Sequence, residues 1–171
     1  MQTNDLQPTL RKATTADAAA ITALTEAAYA KYIPLIGRKP QPMTADYSQM
    51  VVEHPVWLLE VAEQLGGVLV LIEEPETLLI YSIAVRPDLQ GRGLGHRLLA
   101  LAENEARQAG CQKIRLYTNA HFVENIELYQ RAGYQQTRRE EYLGSRLVHM
   151  AKRLEPLSQV TQNVETQDKM N

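Results

Sequence analysis

The sequence predicts an α/β fold: a mixed central β-sheet of about seven strands with helices on both faces. Three observations point there. Short apolar runs of strand length, bounded by turn residues, alternate with segments of helical period in the order β-α-α-β-β-β-α-β-α-β-β. The run Thr77–Val85 is apolar on both faces at its end, as a central strand is. That run leads through a glycine-rich turn directly into a helix.

Each element follows from local chemistry. Leu10-Arg11-Lys12 reads as a short first strand. Thr14 to Asp17 resembles a capping box, and Ile21, Leu24 and Ala28 then recur at helical spacing, so a helix covers roughly 16 to 30. From Tyr32 to Met43, Pro34, Gly37, Pro40 and Pro42 forbid regular structure. Thr44 caps a second short helix through about Val52. Val56 to Val61 is a strand, Gly66-Gly67 a turn, and Val68–Ile72 the next strand. Glu73 to Glu76 turns the chain into Thr77–Val85. The helix after the glycine turn carries Leu94, Leu98, Leu101 and Ala102 on one face and stops at Gly110, a C′ glycine. Lys113–Thr118 is a strand, and Val123 to Ala132 a helix ending at Gly133. Tyr134–Glu141 and Arg146–Leu154 are strands around a Leu143-Gly144-Ser145 turn.

Composition narrows the class. The chain has 171 residues and a formal net charge of −2, which fits one domain and gives no basic surface for nucleic acid. Its apolar runs are too short to span a bilayer, and the polar start from Met1 to Pro8 lacks a signal-peptide core, so a cytoplasmic protein without membrane attachment is expected. The single Cys111, at a helix-to-strand connection, reads as a small half-buried residue. No metal-ligand cluster stands out. The domain is expected over 1–155, with 156–171 a polar, disordered tail.

The chemistry concentrates in Gln90-Gly91-Arg92-Gly93-Leu94-Gly95-His96. Glycines at alternate positions leave backbone N–H groups bare at a helix start, where the helix carries unpaired donors and partial positive charge. That arrangement suits a phosphate or pyrophosphate. The dinucleotide fingerprint fails, because the sixth residue from Gly91 is His96 and the next strand ends near Thr118-Asn119 without an acid. The nucleoside-triphosphate loop fails too, because His96-Arg97 follows Gly95 in place of Lys-Ser/Thr.

The string Gln90 to Gly95 resembles the Gln/Arg-x-x-Gly-x-Gly/Ala loop of the GNAT acetyltransferases, and Glu124 to Tyr134 resembles that family's Ala-x-x-Leu-Tyr-x-x-x-Gly-Phe/Tyr segment. The resemblance runs from Leu10 to Leu154 and implies the GNAT fold, with acetyl-CoA as co-substrate and no metal. It implies that Gln90, Gly91, Arg92, Gly93, Leu94, Gly95 and His96 wrap the pyrophosphate. It implies that Ile83-Ala84-Val85 splays from the next strand to pair with the pantetheine arm and supply an oxyanion donor. Tyr129 matches the tyrosine that lies near the coenzyme sulfur as general acid. Where many members carry an asparagine seven residues before that tyrosine, this chain has Phe122. Asn125, on the same helix face as Tyr129, either substitutes for it or satisfies helix-end groups. Thr77–Val85 holds no carboxylate, so the general base is left among Glu60, His121 and a water relay.

The segment from Tyr29 to Met50 is expected to cover the acceptor, with Arg38 and Lys39 placed either to hold a substrate carboxylate or to stand in solvent. The function these features imply is transfer of an acetyl group to the primary amine of a small molecule, directly, in a ternary complex. Two alternatives stand beside it: a protein N-terminal acetyltransferase of the ribosomal-protein type, and a non-catalytic acyl-CoA-binding module. Homodimers are common among members of the family, and no segment here argues for one strongly.

Overall fold

The computed structural model describes residues 7–156. The tail expected over 156–171 therefore lies, from 157 on, outside the described residues. The strands are β1 (Thr9–Lys12), β2 (Val56–Val61), β3 (Gln64–Glu74), β4 (Thr77–Val85), β5 (Lys113–Asn119), β6 (Gln135–Tyr142) and β7 (Ser145–Arg153). The helices are α1 (Ala18–Tyr29), α2 (Ile33–Ile36), α3 (Tyr47–Glu53), α4 (Leu94–Gln108) and α5 (Val123–Arg131). The strands form one seven-stranded sheet in the order β1-β2-β3-β4-β5-β7-β6, mixed because β4 and β5 are parallel while the other pairs are antiparallel.

Strand alternation divides the apolar residues between two cores. Leu69 and Leu71 of β3 join Leu98 of α4 and Tyr129 of α5 on one face, while Val68 and Val70 join Ile21 and Leu24 of α1 and Tyr47 of α3 on the other. In β4 the alternation slips. Val70 pairs with Ser82 and Leu71 with Ile80, so Tyr81 is an extra residue, a β-bulge. Leu78 and Ile80 before the bulge face the α4 core, and Ala84 after it faces the α1 core. The parallel pairing of β4 with β5 runs only from Thr77 opposite Lys113 to Ile80 opposite Leu116. Beyond that point β5 continues against β7, and β4 continues against β3 alone.

Most predicted elements stand within a residue or two, and three places differ. Gly66-Gly67 is strand. The reversal falls at Ala62-Glu63, both at positive φ (51° and 61°). Leu59 pairs with Gly67 and Glu60 with Leu65, so Gly66 is itself a bulge. These glycines are packing residues: a Cβ on Gly66 would stand 2.9 Å from Leu89 Cδ1, and one on Gly67 3.1 Å from Leu98 Cδ1. The proline-rich stretch after Tyr32 is not irregular throughout, because Pro34 sits in the first turn of α2, where its missing N–H costs nothing. The second short helix is capped by Asp46, not Thr44. The Asp46 carboxylate accepts from the N–H groups of Ser48 (3.0 Å) and Gln49 (3.3 Å), which a hydroxyl two residues earlier cannot reach.

Leu98 is fully buried between α4 and the sheet. Leu98→Ala is expected to cost about 2–5 kcal/mol through lost transfer energy and the cavity left behind. Urea denaturation at unchanged slope measures it.

Candidate active site

The parting of β4 and β5 opens the sheet edge-on, and two clefts meet there. The larger, about 510 Å3, runs over the glycine turn between α4, α5 and the end of α1. Ile83, Ala84, Val85, Gln90, Gly91, Gly93, Leu94, Gly95, His96, Asn125 and Tyr129 all line it. The smaller, about 70 Å3, lies on the other side, between Arg38 to Pro42, the bulge of β4 and the end of β5. Tyr29, Ile83, Asn125 and Tyr129 line both.

The glycine turn presents donors. Gly91 (φ 78°) and Gly93 (φ 80°) occupy the left-handed region, and a Cβ on either would meet no protein atom within 4 Å. It would instead project outward with strained backbone. Gly93 caps α4, and its carbonyl first accepts from Arg97 N–H at 3.1 Å. The N–H groups of Leu94, Gly95 and His96 precede that bond and are left without intrahelical acceptors at the positive end of the helix dipole. Arg92 departs from its expected role: it is exposed and does not line the groove. Gln90 lines it, but its side chain is engaged, with Nε2 donating to Val85 O at 3.0 Å. Gln90 thus folds the turn back onto β4.

The open edge of β4 is equally specific. Arg86 N–H donates to Gly66 O at 2.8 Å, so strand parity turns Ala84 and Arg86 toward β3 and turns Ile83 and Val85 toward the gap. The two carbonyls on the gap side are taken. The Tyr29 hydroxyl donates to Ile83 O at 3.1 Å, and Gln90 holds Val85 O. The N–H groups of Ile83 and Val85 have no strand partner there.

Aromatic residues build the wall between the clefts. Tyr32 stacks on Phe122 with centroids 4.1 Å apart and donates its hydroxyl to Asn125 Oδ1 at 3.1 Å. The Phe122 position is therefore filled by packing. Asn125 lines both clefts, with its Oδ1 held by Tyr32. Tyr129, 8% exposed, has no hydrogen-bond partner for its hydroxyl among the described residues. Burial, with Tyr29 close by, holds its pKa well above the ordinary phenol range, so the phenol stays protonated. Tyr29 is likewise pushed up to about 12 by burial.

Neither base candidate reaches the clefts. Glu60 lies on β2, between β1 and β3, and pairs with Arg11. His121 is exposed just beyond β5, its N–H turned back to Asn119 Oδ1 at 3.0 Å. No carboxylate or imidazole lines the smaller cleft. Lys39 does not line it, and Arg38 does. Sequence reasoning missed Lys31 in the groove and gave no role at the cleft wall to Tyr29 and Tyr32. Their spacing of three residues at a helix end was the available signal.

The model of the acetyltransferase (GNAT) family matches residues 21–134, a span that contains every residue lining the larger groove. The chain belongs to this family. Among curated relatives, the uncharacterized N-acetyltransferase YvbK of Bacillus subtilis is 34% identical over 73 residues, 42% of this chain and 47% of that protein. The aminoalkylphosphonate N-acetyltransferase of Salmonella typhimurium is 41% identical over 58 residues, 34% of this chain and 38% of that protein. This chain thus matches less than half the length of either relative. The PaiA N-acetyltransferase of Thermoplasma acidophilum, solved in complex with coenzyme A, superposes with a TM-score of 0.73 at 16% identity. The match covers 86% of this chain and 99% of that one, a likeness of fold. The seven-stranded mixed sheet is the GNAT fold. Among the described residues no helix is long and apolar enough to cross a membrane, and no group of three metal-ligating side chains occurs.

Gly93→Val forces a β-branched residue to positive φ, a strain of about 1–3 kcal/mol. It also places methyl groups over the bare donors. Coenzyme A affinity is expected to fall by about tenfold or more. Calorimetric titration checks it, and wild-type affinity in the folded variant would remove the turn from the coenzyme site.

Proposed function

We propose that this protein is an acetyl-CoA-dependent N-acetyltransferase acting on the primary amine of a small molecule by direct transfer. The observation that carries this reading is the position of Tyr129, on the wall shared by the two clefts. The larger groove takes acetyl-CoA, with its pyrophosphate at the amides of Leu94, Gly95 and His96. The pantetheine arm lies along the open edge of β4, where the Ile83 and Val85 N–H groups donate to its carbonyls or to the thioester oxygen. The smaller cleft takes the acceptor. A buried water needs about 10–15 Å3 of free space, so a cavity of about 70 Å3 suits a small group.

The step then follows. The neutral amine attacks the thioester carbonyl, and a backbone N–H at Ile83 or Val85 stabilises the oxyanion of the tetrahedral intermediate. As the C–S bond breaks, the Tyr129 phenol donates its proton to the leaving thiolate. Burial weakens the phenol as an acid, but the same burial raises the proton affinity of the thiolate beside it. The amine proton leaves to water, because no carboxylate or imidazole lines the acceptor cleft, and water returns a proton to the Tyr129 phenolate, which restores the acid.

Tyr129→Phe keeps the ring against Tyr134 and removes only the hydroxyl that donates the proton. Its kcat is expected to fall about 10²-fold or more with acetyl-CoA affinity retained. Full activity across pH would withdraw Tyr129 as the acid. Thiol release scored over small amines and a peptide N-terminus tests the acceptor. Strict preference for the peptide would move the reading to protein acetylation, and acetyl-CoA binding without turnover on any amine would leave a binding module. The pH profile tests the base. Tyr29 and Tyr81 are both pushed up to about 12, and no carboxylate or imidazole lines the smaller cleft to act as a base near neutral pH. Below the acceptor's own pKa, each unit of pH increases the neutral amine tenfold, so kcat/KM should rise to a break that tracks the amine used. A break near neutral pH common to all acceptors would reveal an enzymic base.

A further inference from the structure

Arg38 lies where it can recognise a part of the acceptor other than its amine. It lines the smaller cleft, in the segment between α2 and α3. Its guanidinium carbon stands 5.3 Å from the ring centroid of Tyr142, at the β6–β7 hairpin, a cation–π contact that orients the planar group. Its Nε is buried and has no hydrogen-bond partner among the described residues. It forms no ion pair with a described carboxylate.

The segment that carries Arg38 is anchored. The Tyr47 hydroxyl donates to Pro42 O at 2.6 Å, and the Tyr117 hydroxyl donates to Gln41 Oε1 at 3.1 Å. A buried guanidinium N–H left without an acceptor is unfavourable, and an oxyanion is the group that relieves it best, through charge as well as hydrogen bonds. The remaining walls are aromatic, aliphatic or neutral, and none carries a negative charge. The cleft is therefore matched to an anion at one place, while its shared wall with the coenzyme groove is where an amine must arrive.

We propose that the acceptor is a small amine carrying an oxyanion, a carboxylate or phosphonate, which Arg38 binds while the amine lies at the wall of Tyr29, Asn125 and Tyr129. This rests on the acetyl-transfer reading of the same site. An acceptor bearing a second ammonium in place of the oxyanion would be repelled at Arg38.

The test separates binding from turnover. Ligand-observed NMR titrations of the full chain, with coenzyme A present, compare ω-amino acids of two to five carbons with their amides, the matching aminoalkylphosphonates and the diamines. The wild-type protein is expected to bind at least one acid or phosphonate about tenfold or more tightly than its amide or diamine counterpart. The carboxylate and phosphonate arms decide which oxyanion fits. Arg38→Met, which keeps an unbranched aliphatic side chain and removes the guanidinium over Tyr142, is expected to erase that preference and to raise KM far more than it lowers kcat. Equal binding of acid and amide to the wild type, or an undiminished preference in folded R38M, overturns the proposal. Selective binding of the anionic amine without acetyl release would uphold this assignment and remove the transferase reading. Turnover confined to uncharged amines would do the reverse.

Discussion

One extra residue in β4 is the constraint on which the site depends. A regular strand keeps each side chain on one face and each edge group bonded along its length. The bulge at Tyr81 breaks both rules at once. It exchanges the faces, so that Leu78 and Ile80 serve the α4 core and Ala84 serves the α1 core. It also falls where β4 loses β5, after Ile80 opposite Leu116. Parallel neighbours that part in this way expose backbone donors in the middle of a sheet. Tyr29 and Gln90 then take the two gap-side carbonyls, which leaves an edge made of donors alone.

An open sheet must be held open. α1 and α5 meet across the gap through the Tyr32–Phe122 stack and the bond from Tyr32 to Asn125. Tyr29, one helical turn from Tyr32, reaches the strand itself. These aromatic contacts brace the gap and form the wall between the larger groove and the smaller cleft. Structural support and chemistry are shared by the same few residues. Phe122 serves as a packing surface for Tyr32, and Asn125, three residues on, accepts from the Tyr32 hydroxyl.

The smaller cleft is framed by parts distant in sequence. The segment bearing Arg38 is fastened by Tyr47 from α3 and Tyr117 from β5, and Tyr142 from the β6–β7 hairpin covers the guanidinium. Asn119 and Ser145 bond to each other where β5 meets that hairpin. The loop is thereby tied at one backbone carbonyl, Pro42 O, and at two side chains, those of Gln41 and Arg38.

Much of this was legible in the chain. The element order, the glycine turn with its helix, and the capping glycines Gly110 and Gly133 follow from local chemistry, because φ, periodicity and helix-end donors depend on neighbours within a few residues. The glycine turn stood out through its own residues, and Tyr129 through the resemblance of Glu124 to Tyr134 to the family segment. What sequence misread was long-range. Gly66-Gly67 looked like a turn because glycine favours turns, and only the approach of Leu89 and Leu98 shows that these positions need to be small. Glu60 and His121 had suitable chemistry but lie outside the clefts, since nothing local states on which strand edge a side chain will stand. The bulge at Tyr81, the donors left at Ile83 and Val85, and the company that Arg38 keeps are decided by which strands pair and where pairing stops. That is a property of the assembled sheet, set by competition among distant backbone groups for hydrogen-bond partners.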